Sequence, residues 1–386
     1  MLLNEAYSSE TKNKKRAVCY TIKYRIGVRE EIIYMISIAA PVIEEEECRA
    51  VNEVIESGML AQGPKVAELE KSWAEYCGVK HALAVNSGTA AIHCALYAAG
   101  VKEGDEVITT PYSFIATINP ILMLGARPVL VDIDEETFNI DVSKIEAAIT
   151  EKTKAIVPVD LYGQPCDWAE LQEIAKKHDL KIVEDACQAI GAEYKGTKTG
   201  ALGDFGCFSL YATKNIMCGE GGVVTTNSDE AAAAIRSFRQ HGMVAPYEYA
   251  DLGYNYRMSD LHGSIAVEQL KKVASFTKKR QENARKLDRA LMNIQGITIP
   301  TISNNRTHVY HQYTILLGKG IKRDEFIADL REKGVGAGIY YPKPLHMYPH
   351  IAKLGYKVGD FPVAEDLAAR VVSLPVHPKV TDEDIE

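Results

Sequence analysis

The chain has 386 residues, 46% of them hydrophobic and 25% charged, with a formal net charge of −8. That length buries a large core and predicts two or three globular domains, while the negative balance leaves no basic face for nucleic acid or anionic lipid and points to a small-molecule partner. No apolar run reaches the ~18 residues a membrane-spanning helix needs, and the eight cysteines show neither CxxC nor zinc-ligand spacing, which predicts reduced thiols in a cytoplasmic protein without a metal.

Residues 1–34 carry Lys12, Lys14, Lys15 and Arg16 but no apolar core ending in small residues, so they read as an upstream extension, disordered or from an over-long start, rather than a signal peptide. A helix is predicted over 41–58, with Glu44 to Glu47 at the positive end of its dipole. A second has apolar positions at helical spacing from Val66 to Tyr76. After a strand at 82–85, Asn86-Ser87-Gly88-Thr89 opens a helix through Ala98 that Gly100 ends. Small hydroxylated residues at a helix start make an anion site, so a phosphate belongs on the amides of Gly88 and Thr89; a plain N-cap is the other reading.

Strands at 106–110, 128–133 and 154–160 alternate with helices at 115–124, 143–149 and 167–178, which predicts a largely parallel sheet covered on both faces. With those starting at 82, 181, 205 and 222, the sheet has about seven strands. Ligands in such sheets gather outside the carboxyl ends of the strands. There the apolar Ile182-Val183 delivers Glu184-Asp185, and the strand from Phe205 leads to Ala212-Thr213-Lys214 and the loop Gly219-Glu220-Gly221-Gly222. An acid and a lysine 214 − 185 = 29 residues apart thus sit at two strand ends. Pyridoxal phosphate chemistry needs this pair: an amine to hold the aldehyde covalently, and a carboxylate to keep the pyridine nitrogen protonated. Lys214 and Asp185 fit those catalytic roles. Cys187 and Cys218 flank them as small packing residues.

The stretches GPKVAELE at Gly63, NSGTAA at Asn86, PYSFIAT at Pro111, EDACQA at Glu184, FSLYATKN with GEGG, LGYNYRMSDL at Leu252 and YPKPLH at Tyr341 resemble, in order, those of the DegT/DnrJ/EryC1/StrS family of sugar aminotransferases. The resemblance runs from about Met35 to the end of the chain. It implies the type I pyridoxal-phosphate-transferase fold: an α/β class with a mostly parallel seven-stranded sheet and a smaller α+β C-terminal domain. Domains are expected at 47–265 (large, cofactor-binding) and 266–386 (small), with 35–46 packing on the latter. The small domain is read as following a long helix to about Asn293, with a strand at 308–316, a helix at 323–333, a strand at 335–341 and a helix at 363–371. The chain stops at Asp384-Ile385-Glu386, where family members continue, so a truncated C-terminus is expected.

By the same resemblance Phe114 stacks on the pyridine ring, Gln188 touches the cofactor's 3′-oxygen and Ser209 binds its phosphate, beside Gly88 and Thr89. Asn255 would reach the phosphate of a neighbouring subunit, making a homodimer with shared sites, and His241, Arg257, Tyr341 and His346 would bind substrate. The implied reaction converts a nucleotide-linked keto-sugar to the amino-sugar, with L-glutamate as amino donor. Another cyclic ketone (inosose or aminohydroxybenzoate type) and a cofactor-binding regulator without turnover are alternatives. In the family a histidine replacing the lysine gives dehydration; Lys214 is present.

Other signals are set aside. Gly334 to Gly338 is glycine-rich but precedes a strand where a dinucleotide fingerprint opens a helix. His308 and His311, three apart in a predicted strand, point to opposite faces and share no metal. His346 and His350 lie in a segment broken by Pro344 and Pro349.

Overall fold

The computed structural model describes residues 35–386; the extension read at 1–34 lies outside the described residues. From one edge to the other, the central sheet runs His81–Val85, Gly222–Thr226, Phe205–Ser209, Lys181–Asp185, Thr153–Val157, Glu106–Thr109 and Arg127–Leu130. The last five of these pair in parallel, and Gly222–Thr226 is antiparallel to both its neighbours. This is the mostly parallel seven-stranded class expected. Val107, Ile108, Ala155, Ile156, Val157 and Val183 are all buried, since a parallel sheet is covered on both faces.

Helix Gly88–Ala98 is buried from Ala90 through Leu96; it is apolar all round because it crosses the core rather than lying on it. It packs with Val183, Cys207 and Val224 of the sheet. On the other face, Val66, Leu69 and Trp73 of helix Pro64–Cys77 meet Phe208, Ala266 and Val267. The buried Asp260 carboxylate accepts the amides of Gly63 at 2.8 Å and Val66 at 3.0 Å, and so satisfies the otherwise open start of that helix.

A smaller antiparallel sheet joins Ile297–Thr298, Tyr313–Leu317 and Val371–Leu374, backed by helices Val273–Leu291 and Arg323–Glu332. Ile36 bridges to Val335, and His377 Nε2 lies 2.9 Å from the Ser37 carbonyl, which places the first described residues against this sheet.

Several predicted elements differ. The helix expected over 143–149 is two 3-10 turns, Val142–Lys144 and Glu146–Ala148, and that over 115–124 is a 3-10 turn followed by the short helix Asn119–Met123, with Pro120 in its first turn. The long helix after Ser259 is two, Asp260–Lys271 and Val273–Leu291, broken at Lys272. Segment 335–341 is not a strand: Gly336 donates to Ile36 at 2.8 Å, but Gly338 donates to Ser373 at 3.0 Å, so its amides turn to two partners on different sides. Residues 308–312 precede the strand that starts at Tyr313, so the opposite-faces argument for His308 and His311 does not apply. His308 Nδ1 accepts from the Tyr310 amide at 2.9 Å, while His311 Nδ1 lies 3.3 Å from Asn215 Oδ1.

Candidate active site

The site forms where the strands end. Asp185 closes strand Lys181–Asp185 and is buried. Its Oδ2 accepts from Thr117 Oγ1 at 2.7 Å, Thr117 in turn lies 2.9 Å from Ser113 Oγ, and its Oδ1 accepts from the Cys187 amide at 3.2 Å. An acid so held keeps its direction. Behind it, Glu184 points to the other face and accepts the Gly200 amide at 2.8 Å. The buried Asp160 accepts the Cys166 amide at 2.8 Å, and its own amide donates to the Asp185 carbonyl at 3.1 Å.

Lys214 stands on the connection between strands Phe205–Ser209 and Gly222–Thr226, which is zipped by Leu210 to Gly221 at 2.8 Å and Ala212 to Gly219 at 3.0 Å. Burial holds its ammonium below the usual lysine range, against the pull of Cys187 and Asp185. Lowering favours the uncharged amine, the form that acts as nucleophile or base. Lys214 and Asp185 are thus close enough for each charge to act on the other.

Gly88 and Thr89 are the first residues of their helix, whose N-cap Ser87 takes the Ala90 amide at 3.1 Å. Helix geometry leaves the first amides without intrahelical partners. A Cβ on Gly88 would lie 2.8 Å from Ser209 Cβ and 3.1 Å from Cys187 Sγ, so the open amides, the Ser209 hydroxyl and the Cys187 thiol converge on one spot. Open amides beside a hydroxyl are donors of the kind that can hold an anion.

The far wall joins Tyr341, from the C-terminal part of the chain, to Gln188 and Phe114. Gln188 Oε1 accepts from the Tyr162 amide at 2.9 Å, and its Nε2 donates to the Tyr341 hydroxyl at 3.1 Å. The Phe114 ring, 56% exposed, lies 6.1 Å from the Tyr341 ring, leaving a face open to a flat ligand. Burial, with Asp185 next in effect, pushes the Tyr341 hydroxyl well above the usual range, so it stays protonated.

The remaining predicted residues scatter. Asn255 is exposed, with its carbonyl 3.3 Å from Asn86 Nδ2, and Arg257 bridges to Val85 at the sheet edge. His241 is exposed and its amide donates to Tyr254 at 3.0 Å. His346 does not open on the cleft in this structure: it is buried, its Nε2 lies 2.9 Å from Glu365 Oε1, and its ring packs on Phe361. Sequence reasoning passed over Thr117, Tyr112 and Tyr162. PYSFIAT and the Tyr162-Gly163 pair carry them, but nothing local says that they meet Asp185 and Gln188.

The DegT/DnrJ/EryC1/StrS aminotransferase family matches residues 41–386. A pleiotropic regulatory protein of Geobacillus stearothermophilus is 44% identical over 88% of this chain and 92% of its own. GDP-perosamine synthase of Caulobacter vibrioides is 40% identical over 91% and 95%. The crystal structure of S. venezuelae DesV in complex with a ketimine intermediate superposes with a TM-score of 0.85 at 35% identity, covering 88% of this chain and 91% of that one.

Proposed function

The chain belongs to the DegT/DnrJ/EryC1/StrS aminotransferase family, and we propose that it is a pyridoxal-phosphate-dependent aminotransferase converting a nucleotide-linked keto-sugar to the amino-sugar, with L-glutamate as donor. The observation that carries this reading is the convergence of Lys214, Asp185 and the Gly88–Ser209 cradle on one cleft. A cradle too small for one added Cβ, an acid with a fixed direction and a depressed amine are what the three ends of pyridoxal phosphate require, so the residues fit the group. The names of GDP-perosamine synthase and DesV support an amino-sugar product.

Bound there, the cofactor supplies an electron sink beside the reacting amine. The amides of Gly88 and Thr89, with Ser209, hold the phosphate. Asp185 keeps the proton on the pyridine nitrogen, and Thr117 and the Cys187 amide keep Asp185 in place. Lys214 would hold the group through its amine and, when free, would take up and return a proton at the carbon that bears the nitrogen. Phe114 covers one ring face, and His241 and Arg257 meet the substrate from loops at the sheet edge. The intact Lys214 and Asp185 favour turnover over a purely regulatory role. We further read the enzyme as a cytoplasmic homodimer in which Asn255 serves the neighbour's phosphate; no described helix is long and apolar enough to cross a membrane.

The test is direct. Protein loaded with pyridoxal phosphate should show a visible absorbance band that L-glutamate bleaches and a nucleotide-linked keto-sugar restores, while Lys214→Ala folds, binds cofactor and fails to turn over. A band untouched by a panel of amino donors, or turnover retained in Lys214→Ala, would overturn the assignment.

A further inference from the structure

Arg280 stands inside helix Val273–Leu291 and is 5% exposed. A guanidinium offers five N–H donors, yet here Nη1 donates to the Tyr310 carbonyl at 2.9 Å while Nε is buried without a partner among the described residues. Burial pushes its pKa down to about 10, and no neighbouring acid pulls it back. A buried charge is ordinarily paired. This one has a single neutral acceptor.

The side chain lines a small cavity whose wall includes Lys214 and Asn215 from the connection between two sheet strands, with residues 39–42 on another side. Lys214 and Arg280 are the charged groups of that lining, and no acid shares it. Asp185 answers Lys214. The nearby Glu47 is taken up elsewhere: it accepts from Gln269 Nε2 at 2.7 Å and pairs with Lys272 at 2.8 Å. Asn215 Nδ2 donates one N–H to the Val309 carbonyl at 3.0 Å and has a second to give. The space open to the centre of a water-sized atom is about 10 Å³, which is room for one such atom.

We propose that this cavity binds one monovalent inorganic anion of chloride size, with Arg280 as its charged ligand and the Asn215 amide as a second donor. Charge and size together select the occupant: a water would leave the guanidinium without a counter-charge, and a carboxylate or phosphate is larger than the space. An anion seated there ties helix Val273–Leu291 to the connection that carries Lys214. The site stands apart from the pyridoxal phosphate reading, since neither of its ligands is assigned to that group.

The experiment compares the thermal midpoint of the full chain in sodium gluconate and in sodium chloride at one ionic strength, which keeps screening equal. Sodium bromide is run alongside, because its anomalous scattering locates the ion in crystals. An ion that binds only the folded state raises the midpoint with its concentration. The wild type should gain a few degrees as chloride replaces gluconate, bromide should act alike, and its peak should lie within hydrogen-bond reach of Arg280 Nε. Arg280→Gln keeps an N–H for the Tyr310 carbonyl but removes the charge, so the halide affinity read from the midpoints should fall at least ~10-fold. Equal wild-type midpoints in the two salts overturn the site and leave a water in the cavity. A bromide peak found only elsewhere, or a folded Arg280→Gln with the full chloride response, overturns it too. If Arg280→Gln fails to fold, the wild-type midpoints and the bromide map decide on their own.

Discussion

Gly88 and Ser209 lie so close that a Cβ on the glycine would sit 2.8 Å from the serine's own Cβ. The helix start and the strand end are pressed together, and the cradle between them has no room for a side chain. Gly88→Ala should therefore force one element away, lowering stability by about 1–3 kcal/mol and weakening phosphate binding. A thermal midpoint and a cofactor dissociation constant both close to wild type would show that the two elements are not packed in this way.

Asp185→Asn keeps the shape and removes the charge at the ring nitrogen. Turnover should fall by at least ~100-fold, about 2.7 kcal/mol of transition-state stabilisation. Thr117→Val, which deletes the donor 2.7 Å from Asp185, should cost about tenfold, roughly 1.4 kcal/mol. Steady-state kinetics decide, and an Asn variant within a few-fold of wild type removes Asp185 from its role.

Behind Asp185, Asp160 Oδ2 is buried without a hydrogen-bond partner among the described residues, and the buried Glu184 is the neighbouring acid that acts on it. Burial pushes Asp160 up to about 6, and burial together with the Asp160 charge pushes Glu184 well above the carboxylate range. A folded state that binds these protons more tightly than the unfolded chain loses stability as pH rises from about 4, through 6 and beyond. Glu184→Gln keeps an acceptor for Gly200 and gives Asp160 a permanent donor, so that loss should flatten. Thermal midpoints measured across this range check it, and identical slopes in the two proteins would rule it out.

Shared sites can be tested by mixing Lys214→Ala and Asn255→Ala subunits, once each is shown to be severely impaired alone. If Asn255 serves the partner, each mixed dimer has one intact site. Random reassortment makes half the dimers mixed with half their sites good, so roughly a quarter of wild-type activity returns. Reassortment proved by mass without recovered activity would assign Asn255 to its own subunit, where its carbonyl already meets Asn86.

The sequence by itself determined the sheet, the placing of Asp185 at a strand end and the Gly88-Thr89 helix start, because each is a local event: an apolar strand ending in a charge, or a small-residue turn opening a helix. It misread segment 335–341, whose glycines look like a strand until their hydrogen bonds go to Ile36 and Ser373. It also set His346 at the substrate, where the structure buries it against Glu365. Only the tertiary structure decided that Thr117 orients Asp185 from 68 residues away, and that Tyr112 reaches across 229 residues to hold Tyr341. A hydroxyl's partner depends on which strand end it faces after the chain has closed, and neither periodicity nor spacing along the chain carries that information.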